Sequence, residues 1–237
     1  MLLALIHSPL VGPLTWTRVA EALLARGANV VLLELRDDPA SRQPFWQQQA
    51  ASAAQALAAA DEAQPLILVA HSGAGALLPA IRRALGRRVA GYLFVDAGVP
   101  VDGQTRLETF GEEAASFREF LAAGGRYPNW TRADLLEIVP EAPLAERLAG
   151  EQRPRALPFW EERIPVFPGW PDAPGAYLLF SETYRPDAER ARAWGWPVRE
   201  LPAGHFHMLV EPQSVAAAVM ELAAPMAAAA AAERGSP

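Results

Sequence analysis

The sequence predicts an α/β fold, with a mostly parallel sheet of about six strands, helices on both faces and one helical insertion. Two observations predict it. Short, continuously apolar runs alternate with longer helical patterns, which is typical of a parallel sheet buried on both faces. Hydrophobic residues make up 51% of the 237 residues, which is enough for the core of one large domain.

The elements follow from these runs in chain order. Runs rich in branched aliphatic residues predict strands at 2–7, 29–35, 66–70, 89–95, 176–180 and 197–202. The longer segments between and after them predict helices near 14–26, 44–60, 73–86, 184–194 and 212–223. The connections are short, except for one that leaves the fourth strand.

That exception is the segment 98–173, which contains several helical patterns and many aromatic residues. A structureless loop of this length is improbable in a compact domain, so we expect a helical cap inserted into a core formed by 1–97 and 174–223. Ligands of open parallel sheets bind beyond the carboxyl ends of the strands, where such a cap would lie. The alanine-rich stretch 224–237 is expected to be a disordered tail.

Two missing residue types exclude several mechanisms. The chain has no cysteine, and all 21 of its basic residues are arginine. A thiol nucleophile, a cysteine-ligated metal and a lysine Schiff base are therefore excluded. We expect no cofactor and no metal. The net charge of -6 gives no basic field for nucleic acid, so the expected partner is a small-molecule substrate, with a homodimer as a compatible state.

The N-terminal sequence MLLALIHSPL lacks a basic leader and a small-residue cleavage site, so it is interpreted as a strand rather than a signal peptide. No run approaches the roughly 18 apolar residues that span a bilayer. We therefore expect a cytoplasmic protein that does not contact a membrane.

The stretch LILVAHSGAG ends a predicted strand at Ser72, which is flanked by the smallest side chains. A serine at a sharp turn from strand to helix exposes its hydroxyl above the sheet, and small neighbours let strand and helix approach. The pattern A-H-S-G-A departs from the strict G-x-S-x-G, and a helix-capping serine is the alternative interpretation. Pro79 is unusual because it would lie in the second turn of the helix.

Three segments together resemble the α/β-hydrolase superfamily, near its small methylesterases and hydroxynitrile lyases. IHSPLVGPLTW is similar to an opening H-G-x-x-x-G-x-x-x-W motif, VAHSGAG to the nucleophile elbow, and GHFHMLVEP to a terminal H-x-x-M-L-x-x-P motif. They occur in the expected order and spacing over nearly the whole chain. The resemblance implies that Ser72 is the nucleophile and that His205 is its base.

The acid that orients the histidine is less regular. The superfamily usually places it just after the strand AYLLF, where this chain has SETYRP, with Tyr184 near the expected aspartate position. An acid at the end of the preceding strand can replace it, and YLFVDAGVP offers Asp96 there. We therefore assign Asp96 as the acid and keep Glu182 as the alternative.

The expected oxyanion hole also departs from the family pattern. The amide of Gly73, after the nucleophile, supplies one donor, but the usual second position is Pro9, which has no N–H. Either the amide of Leu10 or the hydroxyl of Ser8 has to replace it. Hydroxynitrile lyases carry a hydroxyl residue at the position of Ser8.

These features predict a cofactor-independent serine hydrolase that acts on an ester, thioester or lactone of a small apolar substrate through an acyl-enzyme. The alternative is a hydroxynitrile lyase-like or other non-hydrolytic enzyme on the same scaffold, in which Ser72 and His205 relay a proton. A binding protein that has lost activity is a third possibility.

Overall fold

The computed structural model describes residues 1–235, with side chains through residue 233. Its centre is one sheet of six strands in the order β2-β1-β3-β4-β5-β6, and every pair is parallel. The strands are β1 (Leu2–Ile6), β2 (Asn29–Leu33), β3 (Leu66–Ser72), β4 (Gly91–Ala97), β5 (Gly175–Leu179) and β6 (Val198–Glu200). The predicted fold class is confirmed.

Helices cover both faces of the sheet. They are α1 (Leu14–Leu24), α2 (Phe45–Ala56), α3 (Leu78–Leu85), α4 (Ala114–Ala122), α5 (Arg132–Ile138), α6 (Ala142–Gly150), α7 (Leu157–Glu161), α8 (Arg185–Ala193), α9 (His207–Val210) and α10 (Pro212–Gly235). Helices α1 and α10 pack in one apolar core, while α2, α3 and α8 pack in another. The continuously buried strands β1, β3, β4 and β5 contribute to both cores, as their unbroken apolar runs predict.

The segment 98–173 contains α4 to α7 and has a small apolar cluster of its own. Leu107, Leu121, Phe159 and Trp160 are buried together, and neighbouring cap aromatics pack on them. A buried ion pair joins this segment to the loop after β2. The Arg155 guanidinium donates to both carboxylate oxygens of Asp37, at 2.5 and 2.9 Å, and to the carbonyl of Pro9 at 3.0 Å. This arginine therefore holds the loop after β1.

The prediction of a disordered tail is wrong for residues 224–235, because α10 continues to Gly235. Met226 is buried and its side chain fills the space above Gly91, where an added Cβ would lie 2.3 Å from the sulfur. Alanine has the highest helix propensity, so a run that resembles low complexity still forms a helix when one side packs on the sheet. Residues 236 and 237 of the predicted tail lie outside the described residues.

The expectation that no segment is apolar enough to span a bilayer also differs from the structure. Within residues 1–235, one helical stretch, Pro212–Glu233, has the length and composition to do so, with a mean hydropathy of 1.7 over its most apolar window. Alanine counts as apolar on this scale, and 44% of the window is buried inside the fold. A core helix of a soluble protein passes the same test, so this observation is weak evidence for a membrane.

Candidate active site

Ser72 is the last residue of β3 and has a backbone φ of 58°, in the left-handed region. The small residues around it have a steric cause, because an added Cβ at Gly75 would lie 2.2 Å from the carbonyl oxygen of Gly98. The α-helix after the turn begins at Leu78, so Pro79 lies in its first turn, where proline is tolerated, and not in its second. The chain thus forms a tight elbow with Ser72 at its apex.

Asp96 lies near the end of the neighbouring strand β4 and has a φ of 44°. The pairing of β3 with β4 shifts there: His71 pairs with Val95, and Ser72 pairs with Ala97. Asp96 is therefore the extra residue of a β-bulge, a feature that redirects a side chain. Within residues 1–235, Ser72 and Asp96 are the non-glycine residues with positive φ, and such backbone strain concentrates at functional sites.

The bulge directs the Asp96 carboxylate, which is fully buried, into a ring of donors. Oδ1 accepts hydrogen bonds from the amides of Phe180 and Ser181, both at 2.9 Å. Oδ2 accepts from the Ser181 hydroxyl and from Nδ1 of His205, both at 2.7 Å. Burial alone would raise the pKa of Asp96, but the hydrogen bond and charge of His205, together with Ser181, hold it below its ordinary value. The carboxylate is therefore ionised where it meets the imidazole.

Glu182, the alternative acid, lies elsewhere. Its side chain is 79% exposed and forms an ion pair with Arg185 at 2.6 Å. Its carboxylate makes no contact with His205 among the hydrogen bonds of the described chain. The geometry thus brings Asp96, and not Glu182, to the histidine.

His205 lies on the loop between β6 and α9 with its ring between two others. The ring centroid is 4.4 Å from that of His71 and 5.1 Å from that of Tyr184, and the Tyr184 ring is nearly parallel to it. Because Nδ1 donates to Asp96, Nε2 is left as the basic nitrogen. His71 Nε2 donates to the backbone carbonyl of His205 at 3.1 Å, which ties this loop to the elbow.

His71 is fully buried and acts as a neutral packing partner in this arrangement. Burial lowers its pKa well below the ordinary histidine value, and the charge of a protonated His205 lowers it further. Its Nδ1 has no hydrogen-bond partner in the described part of the chain. The site can therefore carry a positive charge on His205 without a second one directly against it.

The hydroxyl of Ser72 makes its hydrogen bond with Tyr184, at 3.1 Å between Oγ and Oη. A direct contact between Ser72 and His205 is expected from the sequence, but no hydrogen bond joins them in this structure. Catalytic hydrogen bonds are often long or misaligned without substrate. Tyr184 contacts both side chains, so all three lie in one site. Sequence reasoning missed this role, although Tyr184 stands near the position of the superfamily's usual acid.

The loop after β1 offers a hydroxyl beside the elbow. The backbone amide of Gly73 makes no hydrogen bond within residues 1–235, and a Cβ built on Gly73 would lie 3.9 Å from Ser8 Oγ. The amide of Leu10 donates to Ser8 Oγ at 3.4 Å. Since Ser8 accepts from Leu10, its own O–H is free to donate. The Gly73 amide and the Ser8 hydroxyl thus lie near each other with donor capacity to spare, whereas the Leu10 amide already donates to Ser8.

His7 stabilises the same loop. Its Nε2 accepts from the amide of Leu35 at 3.0 Å, so the proton lies on Nδ1, which donates to the carbonyl of Ser8 at 2.8 Å. Burial lowers the pKa of His7 from 6.5 to about 4. This histidine has a structural role and remains neutral at neutral pH.

We expect His7 to make stability depend on pH. Between pH 6.5 and about 4 the unfolded chain binds a proton that the fully buried folded imidazole does not, so acid lowers the free energy of unfolding. The difference in pKa corresponds to about 3 kcal/mol. The test is denaturant unfolding of His7→Gln, whose amide can make both hydrogen bonds, at pH 7 and at pH 4. Between these pH values, its free energy of unfolding should fall by about 3 kcal/mol less than that of the natural protein. Parallel losses would contradict this role.

A groove of about 460 Å³ lies against His205. It is bounded by the segment 98–173 and by the loop that carries His205, and its main lining residues are Trp130, Ile138, Pro140, His205, Phe206 and Val210. Most of this lining is apolar. Ser72, which is 7% exposed, does not line the groove, so a ligand in the groove would reach the site on the side of the imidazole.

His207 lies on the surface of this groove and packs against Phe180, with 5.5 Å between the ring centroids. Burial lowers its pKa. Across residues 1–235, no group of three or more histidine, aspartate or glutamate side chains is arranged to hold a metal ion. The structure therefore gives His205 a carboxylate partner and gives His207 an aromatic one.

Comparisons with known proteins support the fold. The family model described as "Alpha/beta hydrolase family" matches residues 3–218. No curated protein matches the chain. Three similar solved structures are an extracellular alpha/beta-hydrolase from a Paenibacillus species, polyneuridine aldehyde esterase and a pyrethroid hydrolase from Sphingobium faniae.

Each of these structures matches nearly end to end at low sequence identity. The Paenibacillus protein is 19% identical, with 94% of this chain and 98% of that one covered and a TM-score of 0.76. The esterase is 15% identical, with 94% and 98% covered and a TM-score of 0.69. The pyrethroid hydrolase is 20% identical, with 93% and 96% covered and a TM-score of 0.69. At such identities the likeness shows the fold alone.

Proposed function

Because this chain belongs to the alpha/beta hydrolase family, we propose that it is a serine hydrolase that cleaves a carboxylic ester through an acyl-enzyme. One observation carries the proposal. Ser72 stands at a strained elbow at the end of β3, beside a His205 that is hydrogen-bonded at 2.7 Å to the buried Asp96. A serine hydroxyl is a weak nucleophile at neutral pH and needs such an oriented base.

In the proposed reaction, Ser72 Oγ turns from Tyr184 toward Nε2 of His205 and attacks the ester carbonyl. Nε2 takes the hydroxyl proton, and Asp96 stabilises the resulting imidazolium through Nδ1. The negative carbonyl oxygen is stabilised by the amide of Gly73 and the hydroxyl of Ser8. His205 then returns the proton to the departing alcohol. Water hydrolyses the acyl-enzyme by the same proton route.

The groove beside His205 supports an apolar substrate. Its walls include Trp130, Ile138 and Phe206, and because it borders the imidazole of His205, we assign the alcohol part of the ester to it. Two of the similar structures are named an esterase and a pyrethroid hydrolase, which agrees with an ester substrate. A thioester or lactone would use the same chemistry. No cofactor enters the proposed mechanism.

The test is covalent labelling. A fluorophosphonate probe should modify the protein at Ser72, as located by peptide mass spectrometry, and Ser72→Ala should remain unlabelled. Hydrolysis of short-chain esters by the same preparation should be lost in proportion to labelling. A folded protein that neither reacts with the probe nor hydrolyses esters would overturn the proposal.

A non-hydrolytic lyase is the second candidate. It is favoured by the missing donor at Pro9, by the hydroxyl of Ser8, and by the hydrogen bond of Ser72 to Tyr184 instead of His205. In that enzyme, Ser72 and His205 relay a proton and no acyl-enzyme forms. Incubation with a cyanohydrin and with p-nitrophenyl esters separates the two candidates, because only the hydrolase would release p-nitrophenol.

The proposed setting of this activity is the cytoplasm, with a small-molecule substrate and without nucleic acid or membrane. Partition of the full chain between the soluble and membrane fractions of its source cells tests the location. Light scattering of the purified chain tests the proposed homodimer against a monomer.

A further inference from the structure

Tyr184 contacts both central groups of the site. It lies in the short turn Glu182–Tyr184 after β5. Its Oη is 3.1 Å from Ser72 Oγ, and its ring stacks on His205 at 5.1 Å with an angle of 13° between the planes. The phenol therefore lies between the nucleophile and the base.

The position of Tyr184 is linked to that of the acid. The carboxylate that holds His205 Nδ1 comes from Asp96 on β4, so the turn after β5 supplies no acid to the histidine. What this turn supplies to the site instead is the Ser181 hydroxyl on Asp96 and the Tyr184 hydroxyl on Ser72. The turn therefore contributes two hydroxyl groups, one that donates to the acid and one that hydrogen-bonds to the nucleophile.

Tyr184 is a donor at neutral pH. Burial raises the pKa of its phenol above the ordinary tyrosine value, and the hydrogen bond of Ser72 offsets only part of this rise. When Ser72 gives its proton to His205, the phenol O–H is the group that remains to donate toward the reacting atoms.

The position of Tyr184 relative to the other groups of the site indicates which substrate atom its phenol would contact. The oxyanion donors, Gly73 and Ser8, come from the elbow and from the loop after β1. Tyr184 instead stacks on His205, the residue that protonates the departing alcohol. The groove for the alcohol part also lies against His205. Tyr184 thus lies on the His205 side of Ser72, the side on which a departing alcohol would receive its proton.

We propose that Tyr184 is a further catalytic residue, whose phenol donates a hydrogen bond to the alcohol oxygen of the ester as that oxygen leaves. This inference rests on the proposed serine hydrolase function. As the tetrahedral intermediate collapses, the carbon–oxygen bond to the alcohol breaks and its electron pair stays on the alcohol oxygen. The proton from His205 Nε2 neutralises that oxygen, and Tyr184 keeps its own proton.

This role suits a substrate with a poor leaving group. An alkyl alcohol leaves with more developed negative charge that needs stabilisation, whereas a nitrophenol leaves readily as its anion. The structure therefore favours alkyl esters as the substrate class. A comparison of the two leaving groups also distinguishes a catalytic role of Tyr184 from a structural one. Loss of a purely structural tyrosine would lower the rates of both esters by the same factor.

The experiment compares Tyr184→Phe with the natural protein on two esters that share one acyl group, a methyl ester and a p-nitrophenyl ester. The measured quantity is kcat/KM, which covers the steps up to release of the alcohol. The ratio of methyl to p-nitrophenyl kcat/KM should fall at least about tenfold in the variant, as expected for one hydrogen bond to a charged group. Labelling of Ser72 by a fluorophosphonate verifies that the variant is folded.

The matched control is Tyr92→Phe, which removes a phenol bonded to Asp172 at 2.6 Å, near the start of β4 and away from the site. It should leave the ratio unchanged. Equal losses on both esters in Tyr184→Phe would overturn this inference while Ser72 labelling still supported the hydrolase. A natural protein without labelling or ester hydrolysis would overturn both, so the two failures are distinguishable.

Discussion

Replacing Ser72 with alanine is expected to abolish ester hydrolysis, with a loss in kcat/KM of roughly 10⁴-fold or more. We expect no other hydroxyl to take its place, because the Ser8 hydroxyl makes no hydrogen bond to a histidine side chain within the described residues and the phenol of Tyr184 is kept protonated by burial. The measurement is initial-rate hydrolysis of an ester that the natural protein cleaves.

The control for this variant is its fold. Alanine and serine have the same Cβ, so the strain of the φ of 58° is similar in both, and the thermal midpoint should change little. A well-folded Ser72→Ala that keeps more than about a tenth of the activity would show that another group performs the chemistry, since losing a true nucleophile costs far more.

Replacing Asp96 with asparagine is expected to lower kcat by about 10³-fold or more. The amide would retain the shape of the carboxylate, and asparagine tolerates the left-handed backbone at this position, where φ is 44°. It would not hold the proton on His205 Nδ1 or stabilise the imidazolium. Steady-state kinetics on the same ester, with circular dichroism as the check of folding, gives the measurement.

Glu182→Gln is the matched control for Asp96→Asn, because it also removes one carboxylate charge. The Glu182 side chain is 79% exposed and forms its ion pair with Arg185. Its kcat should stay near that of the natural protein. If Glu182→Gln lost activity and Asp96→Asn retained it, the assignment of the acid would be reversed.

Part of the site was predictable because its signals are local. The run LILVAHSGAG predicts a buried strand that ends in a sharp turn, and the structure places Ser72 at that turn. The backbone needs small residues wherever a helix approaches a strand, and Gly75 against Gly98 is such a place. The alternation of strands and helices likewise predicts the parallel sheet, because a helix between two strands supplies the crossover that parallel strands need.

Other parts depended on the register between strands. The choice between Asp96 and Glu182 follows from a bulge of β4 against β3, and pairing irregularities of this kind leave no signal in either strand alone. The helix at 224–235 was not predicted, because an alanine-rich sequence is compatible both with a disordered tail and with a helix. The contact of Met226 with Gly91, which favours the helix, is a tertiary one.

The sequence by itself determined the layered sheet, the serine elbow and the exclusion of thiol and Schiff-base chemistry, because these depend on which side chains exist and on their local spacing. Only the tertiary structure decided that His205 meets Asp96 and that Ser72 bonds to Tyr184. These contacts join residues about a hundred positions apart. Their distances are set by strand order, register and the packing of the loops after β4, β5 and β6, which no local pattern contains.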